Sequence, residues 1–160
     1  MSTRSGIGYD SHRFEEGRPL VLGGLEIPHE RGLAGHSDAD VLTHAVIDAL
    51  LGAAGLGDIG QHFPDTDTKW AGADSMRLLA HVLELMHDLG YRPLHVDATV
   101  ICEAPRLGPF REDIRETLGR ALGLGPAGAS VKFTTNEGMG FVGRGEGMAA
   151  MAVATVEAGD

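Results

Sequence analysis

The stretch Met148-Ala149-Ala150-Met151-Ala152-Val153-Ala154 decides the fold of this chain. Its side chains are small and apolar at odd and even positions alike. Because successive side chains of a strand point to opposite faces of a sheet, this pattern is typical of a strand that is buried on both faces. We therefore predict a final strand over residues 148–156, with helices covering one face of its sheet and a neighbouring subunit covering the other.

The rest of the chain mixes strand patterns and helix patterns without regular alternation, which favours an α+β fold. We predict a single domain over residues 1–160, with a mixed sheet of about four main strands and helices on one face. The other predicted elements are strands over 7–14, 91–103 and 131–135, a hairpin over 20–28 around a Gly-Gly pair, and helices that end near 54 and that cover 75–89 and 107–122.

Composition and charge argue against several classes of protein. At 160 residues the chain is long enough to bury a core without covalent staples. Its single cysteine, Cys102, permits no intrachain disulfide, and the start of the sequence lacks a signal-peptide pattern, so we expect a cytoplasmic protein. The sequence has no long apolar run of the kind that spans a membrane. The net charge of −10 argues against a nucleic-acid surface, which needs a basic face.

A metal site is predicted from two short segments. Asp10 and His12 lie two residues apart in a predicted strand, so both side chains project from the same face. His44 on the following helix would complete an Asp/His/His set, which suits zinc with a fourth position open for a phosphate or water oxygen. Asp40, His44 and Asp48 share one helix face. These three residues are either an ordinary solvated face, or His44 is a metal ligand and Asp40 or Asp48 orients its ring.

Two segments have residues suited to phosphate. His36 and Ser37 precede that helix, whose N-terminal amides and dipole favour anions, and Ser37 with Asp40 resembles a capping box. The polar segment Thr134-Thr135-Asn136-Glu137 ends a predicted strand and is followed by glycines. It reflects either ordinary strand propensity or a phosphate cradle whose glutamate holds a hard cation such as Mg²⁺. Metal ions and helix termini would let this acidic chain bind an anionic substrate.

Three further loops have two readings each. The segments Gly57-Asp58-Ile59-Gly60 and Phe63-Pro64-Asp65-Thr66-Asp67 are either ordinary turns or acidic loops that hydrogen-bond sugar hydroxyls. The segment Gly143-Arg144-Gly145-Glu146-Gly147 is either a flexible turn with a weak ion pair or the site of a buried arginine near a symmetry axis.

Together these segments resemble one family, the 2-C-methyl-D-erythritol 2,4-cyclodiphosphate synthases of the non-mevalonate isoprenoid pathway. The resemblance covers residues 7–154, and the order and spacing of its motifs are specific. Two positions depart from the family pattern: Arg106 stands where a lysine is common, and Asn136 replaces a third threonine. Besides the segments quoted above, the matching motifs are Gly8-Tyr9-Asp10-Ser11-His12, Gly35-His36-Ser37-Asp38-Ala39-Asp40-Val41, His44-Ala45, Asp48-Ala49-Leu50-Leu51-Gly52-Ala53, Ala73-Asp74-Ser75, Ala104-Pro105-Arg106 and Gly140-Phe141-Val142.

The resemblance implies a homotrimer with active sites between neighbouring subunits. It assigns Asp10, His12 and His44 to zinc, one ion per chain, and it assigns Glu137 to Mg²⁺ or Mn²⁺ at the diphosphate of the substrate.

The resemblance also implies which residues contact the substrate. Phosphate would be bound at His36, Ser37 and Thr135, and we take His36 and Thr135 as the catalytic residues. The expected phosphate-, sugar- and cytidine-binding residues are Asp10, His12, His36, Ser37, Asp58, Ile59, Gly60, Phe63, Pro64, Asp65, Thr66, Asp67, Cys102, Glu103, Ala104, Pro105, Arg106, Leu107, Gly108, Thr134, Thr135, Asn136, Glu137, Phe141 and Arg144.

The implied reaction is the cyclisation of 4-diphosphocytidyl-2-C-methyl-D-erythritol 2-phosphate. Its 2-phosphate attacks the β-phosphorus of the diphosphate and expels CMP. Because the nucleophile is already an anion, positioning and charge stabilisation are the main tasks of the protein. Two alternatives stay open on sequence grounds: a zinc-dependent phosphohydrolase that activates water, and a non-catalytic trimeric nucleotide-binding module.

Overall fold

The computed structural model describes residues 2–159, which form seven strands and five α-helices. Short 3-10 turns cover Thr68–Trp70, Gly108–Phe110 and Pro126–Gly128. No helix within this range has the length and apolarity needed to cross a bilayer. The elements are β1 (Ser2–Glu16), β2 (Leu20–Leu22), β3 (Leu25–Ile27), β4 (Arg31–Leu33), α1 (Val41–Ala54), α2 (Ile59–His62), α3 (Ser75–Asp88), β5 (Tyr91–Ile101), α4 (Arg111–Ala121), β6 (Ala129–Thr134), α5 (Gly140–Gly143) and β7 (Gly147–Ala158).

Five strands form one mixed sheet in the order β4-β1-β7-β5-β6, while β2 and β3 form the predicted hairpin. β5 and β6 are parallel, and all other neighbours in the sheet are antiparallel. The α+β prediction is confirmed. The predicted number of about four strands is one too low, because β4 pairs Leu33 with Phe14 at the edge of the sheet. A strand of three residues is too short to show an alternating pattern.

Helix α1 lies directly on the sheet because two glycines of β1 leave room for it. A Cβ atom at Gly8 would lie 1.9 Å from the carbonyl oxygen of Ala45, and one at Gly6 would lie 2.2 Å from that of Ala49. Only glycine permits backbones to approach so closely. This contact places His44 of α1 over the strand that carries Asp10 and His12.

The two faces of the sheet differ in burial. On the face toward the helices, Met148 and Ala150 of β7 are fully buried. On the opposite face, Met151 and Val153 of β7 are 42% and 46% exposed, and the neighbouring Ile7 of β1 is 66% exposed. The predicted burial of β7 on both sides therefore holds for one face of the single chain, and the other face is an apolar surface of the kind that marks an interaction site.

The start of α1 differs from the prediction. The residue that caps it is Asp40, whose carboxylate accepts a hydrogen bond from the backbone N–H of Thr43 at 3.0 Å. The same carboxylate also accepts from the backbone N–H groups of Gly23 at 3.0 Å and Gly24 at 2.8 Å. The predicted capping by Ser37 is wrong, because Asp40 alone can join the helix to the turn between β2 and β3.

The start of α4 also differs from the prediction. It begins at Arg111, after a 3-10 turn at Gly108–Phe110, whereas the sequence pattern placed the helix start at residue 107. Pro109 lies in that turn, where a proline is tolerated because the first N–H groups of a helix have no intrahelical partner, and 3-10 turns are frequent at the N-termini of α-helices.

Candidate active site

Three potential metal ligands converge where α1 crosses β1. Asp10 Oδ2 lies 2.7 Å from His12 Nε2 and 3.2 Å from His44 Nδ1, and the two imidazole nitrogens are 3.4 Å apart. Asp10 and His12 share the face of β1 that packs on α1, as their spacing predicted. The structure thus brings together the three residues that the sequence proposed as a metal set.

The far nitrogen of each imidazole has a partner that determines its protonation. His12 Nδ1 lies 2.8 Å from the carbonyl oxygen of Ala34. A carbonyl oxygen only accepts hydrogen bonds, so Nδ1 carries the proton and Nε2 presents a lone pair.

The corresponding partner of His44 is a hydroxyl that is itself held by a carboxylate. His44 Nε2 lies 2.8 Å from Ser75 Oγ and 3.2 Å from Ser37 Oγ. Ser75 donates its hydroxyl proton to Asp38, which only accepts, so Ser75 Oγ accepts the proton of His44 Nε2. His44 Nδ1 therefore presents a lone pair toward Asp10.

In these tautomers three electron-pair donors face one another, and either an added proton or a bound metal ion relieves their repulsion. Burial raises the pKa of the Asp10 carboxyl, yet the hydrogen bonds with His12 and His44 outweigh it and leave that pKa below its ordinary value. Burial lowers the pKa of His12, but the adjacent Asp10 carboxylate outweighs it and leaves that pKa raised. One carboxylate oxygen and two imidazole nitrogens fit a divalent metal ion. The chemistry of the donor set therefore supports a metal centre.

The proposed roles of Asp40 and Asp48 in orienting His44 are wrong. Asp40 caps α1, and Asp48 accepts a hydrogen bond from the backbone N–H of Ile59 at 2.7 Å, which ties α1 to α2. Ser75 orients the ring instead, and it was quoted in the sequence motifs without a role. The contact between Ser75 and His44 joins positions 31 residues apart, so local spacing does not predict it.

A cleft of about 300 Å³ opens beside the metal cluster. The half-buried Trp70 lines it and was not predicted; its ring contacts Phe63 edge-on, with the ring centroids 4.7 Å apart. Asp58 and Asp67 cap short helical turns and do not line this cleft. The predicted residues that line it are His12, His36, Ser37, His44, Ile59, Gly60, Phe63 and Asp65.

The predicted anion site at the N-terminus of α1 is wrong in one respect. The buried carboxylate of Asp40 already accepts the Thr43 N–H, and its charge opposes an anion at that helix end. His36 and Ser37 lie in the loop before the helix, so they face the cleft through their side chains, without the backbone amides of α1.

A second cleft, of about 530 Å³, lies where β5 and β6 end. Burial raises the pKa of the Cys102 thiol to about 11, so this cysteine is a neutral lining group. The structure thus brings together most of the residues predicted to bind cytidine. They are Cys102, Glu103, Pro105, Arg106, Leu107 and Gly108, joined by Pro109, Phe133, Thr134 and Thr135.

The turn after β6 leaves one hydroxyl free for a ligand. Thr135 Oγ1 accepts a hydrogen bond from the backbone N–H of Glu137 at 3.2 Å, so its own O–H is available to donate. The Glu137 side chain is exposed. Phe141 and Arg144 lie outside both clefts, and Arg144 pairs with Glu146 at 2.8 Å.

Both clefts open at the same end of the strands. β1, β5 and β6 run in one direction, so His12, Ile101 and Thr134 lie at the same end. Three strand spacings separate β1 from β6, which is about 14 Å across the sheet. The metal cluster and the Thr135 turn of one chain are therefore neighbours without being in contact.

Comparisons with known proteins agree on one family. A family model described as the YgbB family matches residues 3–157. A 2-C-methyl-D-erythritol 2,4-cyclodiphosphate synthase from Salinibacter ruber is 60% identical over 154 residues, which cover 96% of this chain and 98% of that protein. A solved synthase of the same name in its CDP-bound form has a TM-score of 0.88 at 41% identity, and the match covers 96% of this chain and 100% of that one. The bifunctional IspDF from Campylobacter jejuni has a TM-score of 0.95 at 41% identity; the match covers 99% of this chain but 43% of that one.

Proposed function

Because the chain belongs to the YgbB family, we propose that its two clefts bind 4-diphosphocytidyl-2-C-methyl-D-erythritol 2-phosphate and close it into the 2,4-cyclodiphosphate, with release of CMP. The chain is an enzyme with the cyclodiphosphate synthase function of its relatives, a phosphorus–oxygen lyase activity of isoprenoid precursor synthesis. The observation that carries the proposal for the site is the convergence of the Asp10, His12 and His44 electron pairs beside a cleft.

The reaction needs positioning more than proton transfer. An oxygen of the 2-phosphate forms a bond to the β-phosphorus, the bond from that phosphorus to the bridging oxygen breaks, and CMP leaves with the bonding electrons. Two anionic groups must be held close together, and charge develops on the leaving phosphate. The protein therefore has to neutralise phosphate charge and align the two phosphorus centres.

The metal at the three-ligand cluster is proposed to be zinc. One carboxylate oxygen and two imidazole nitrogens are a ligand set that zinc accepts, with a fourth position open. When it is bound by Asp10, His12 and His44, zinc supplies positive charge and a coordination position for a phosphate oxygen. Glu137 is the proposed ligand of a second cation, Mg²⁺ or Mn²⁺, since an exposed carboxylate suits a hard ion shared with a diphosphate.

His36 and Thr135 are the proposed catalytic residues. The His36 ring is exposed and lines the cleft beside the Asp10, His12 and His44 cluster, which is called the metal cleft from here on. Its Nε2 lies 3.4 Å from the carbonyl oxygen of Asp67. This contact is longer than an ordinary hydrogen bond, so the ring N–H can turn from it and donate to a phosphate oxygen on one side of the reacting bond. The free O–H of Thr135 donates on the other side. Ser37 Oγ already accepts the Ala39 N–H at 3.2 Å, which leaves its proton for phosphate.

The second cleft, at the ends of β5 and β6, is called the base cleft from here on. It supports recognition of cytidine by fixed backbone groups. One solved relative is a CDP-bound form, and the residues of this chain that line the second cleft end two strands of the same sheet. Pro105 holds the loop that follows β5 in a defined path, so its N–H and C=O groups present a constant pattern to a base edge. Arg106 and Gly108 line the same cleft.

We propose that the active enzyme is a homotrimer with active sites between subunits. The exposed apolar face around Ile7, Met151 and Val153 gives such an assembly its driving force. Burial of apolar surface contributes about 25 cal/mol per Å² removed from water. The metal cleft of one subunit then faces the base cleft of its neighbour. This arrangement brings together a metal cluster and a Thr135 turn, which lie about 14 Å apart across the sheet of one chain. We also propose the cytoplasm as its compartment, since Cys102 is a buried free thiol.

Phosphorus NMR of the purified protein with the cytidyl substrate, Zn²⁺ and Mg²⁺ tests the function. The proposal predicts cyclic diphosphate and CMP in equal amounts. Linear hydrolysis products would instead indicate a phosphohydrolase, and unchanged substrate would indicate a non-catalytic nucleotide-binding module. Either of these results would contradict the proposal.

A further inference from the structure

Glu103 has an unusual place in the base cleft, because its carboxylate is occupied by the protein backbone. Its Oε2 accepts a hydrogen bond from the backbone N–H of Asn136 at 2.7 Å, and its Oε1 accepts from that of Gly138 at 3.0 Å. The carboxylate thus bridges from the end of β5 to the turn that follows β6. Each oxygen accepts from one amide of the turn, so the contacts that the side chain makes are with the turn.

The bridged turn has a conformation that needs support. Glu137, between the two bonded amides, has φ of +54°, a left-handed conformation that costs a residue with a side chain more than glycine. The turn is exposed to solvent on its outer side. Its inner side packs against α5, where a Cβ at Gly143 would lie 2.1 Å from the carbonyl carbon of Gly138. Glu103 is the side chain that holds the amides flanking Glu137.

The two anchored amides would otherwise form an anion-binding concavity. Backbone N–H groups that point to one spot bind carboxylates or phosphates. Here Glu103 fills that place, so a phosphate does not bind there and has to use the O–H of Thr135 and a cation at Glu137. The carboxylate therefore determines both the shape of the turn and which groups of it remain for the substrate.

The geometry points to Glu103 as a positioning residue that holds the Thr135 hydroxyl and the Glu137 carboxylate in place for the diphosphate. This inference rests on the proposed function. It assigns Glu103 an indirect role: the residue aligns the turn, and the turn contacts phosphate and cation. Displacement of such groups by about 1 Å costs about a hundredfold in rate.

The test compares Glu103→Ala, Glu103→Gln and the control Glu112→Ala in the full-length protein. Glu112 is an exposed glutamate of α4 that pairs with Arg115, away from both clefts. Three quantities are measured: the turnover number from CMP release, the Mg²⁺ concentration at half-maximal rate, and the hydrogen exchange of a peptide covering residues 134–139. The exchange measurement needs no substrate and reports the turn alone.

For Glu103→Ala we expect faster exchange in that peptide, a fall in turnover of at least about tenfold and a higher Mg²⁺ requirement. Glu103→Gln keeps one acceptor oxygen and should lie between that variant and the wild type. Glu112→Ala should match the wild type in all three quantities.

The inference is overturned if Glu103→Ala turns over within about twofold of the wild type. It is also overturned if turnover falls while exchange of residues 134–139 stays unchanged, because Glu103 would then act on the substrate directly. If Glu103→Ala does not fold, Glu103→Gln decides, and wild-type exchange and turnover in that variant contradict the inference. A failure of the proposed function itself would show as absent product in the wild type.

Discussion

Replacement of Ser75 by alanine should weaken metal binding without changing any metal ligand. Ser75 Oγ accepts the proton of His44 Nε2 at 2.8 Å and donates its own proton to Asp38. The replacement removes both bonds and leaves His44 freer to rotate and to change its tautomer. Ser75 is fully buried, so water does not replace the lost hydroxyl easily.

The size of the effect follows from the partner that remains. Groups that hydrogen-bond to metal-bound histidines are worth about 10–100-fold in metal affinity. Ser37 Oγ still lies 3.2 Å from His44 Nε2 and offers a second acceptor. We therefore expect the lower end of that range, an increase in the zinc Kd of about tenfold, or ~1.4 kcal/mol. The double variant Ser37→Ala/Ser75→Ala removes both acceptors and should lose more than either single variant.

Competition for zinc with a chelator of known affinity measures the Kd of each variant. Nitrogen-15 NMR of the metal-free protein shows whether His44 keeps its proton on Nε2, which a merely structural role for Ser75 would not affect. Ser11→Ala is the matched control, because Ser11 is exposed on the opposite face of β1. If Ser75→Ala binds zinc within about twofold of the wild type and keeps the His44 tautomer, the reasoning about this hydrogen-bond chain is wrong.

Three further predictions concern other parts of the molecule. Arg106→Ala should weaken CMP binding modestly and keep the preference for cytidine over uridine, because backbone groups recognise the base. Calorimetric titration checks this, and loss of the preference would show that the Arg106 side chain recognises it instead. Cys102 should react with iodoacetamide about a hundredfold more slowly at pH 8 in the folded protein than in the unfolded one, because its pKa is raised from 9.0 to about 11 and the thiolate forms only as pH rises toward that value; equal rates would contradict the burial of the thiol. Val153→Asp places a charge on the apolar face of the sheet and should give a monomer of 16.8 kDa without activity. The control Leu89→Asp, at an exposed position on the C-terminal end of α3, should stay trimeric by light scattering. A fully active monomer would refute the proposed assembly.

Local patterns were enough to predict that Asp10, His12 and His44 form a candidate metal-binding cluster. Asp10 and His12 share a face because side chains alternate along any strand, and this does not depend on what the strand packs against. His44 followed from a helix that begins soon after a polar segment. The family resemblance and the α+β class were confirmed for a different reason. Their signals are spread along the whole chain and survive errors at individual element ends.

The supporting residues of the site depend on contacts that sequence spacing does not show. Ser37 and Asp40 are both good helix caps, and Asp40 is selected because the turn at Gly23 and Gly24 lies within reach of its carboxylate. Ser75 reaches His44 only after the N-terminus of α3 has packed beside α1. Glu103 bonds to amides 33 and 35 residues away. Such partners are determined by the fold as a whole.

The central claim is that the Asp10, His12 and His44 cluster holds the metal on which cyclisation depends. The most direct test is phosphorus NMR of the cytidyl substrate with the metal-stripped wild type, before and after Zn²⁺ is restored in the presence of Mg²⁺, alongside folded His44→Ala treated identically. The account predicts cyclic diphosphate and CMP only from the zinc-restored wild type, together with one zinc per chain that the variant lacks. Cyclic diphosphate formed at the wild-type rate by His44→Ala, or by the stripped wild type, would contradict it.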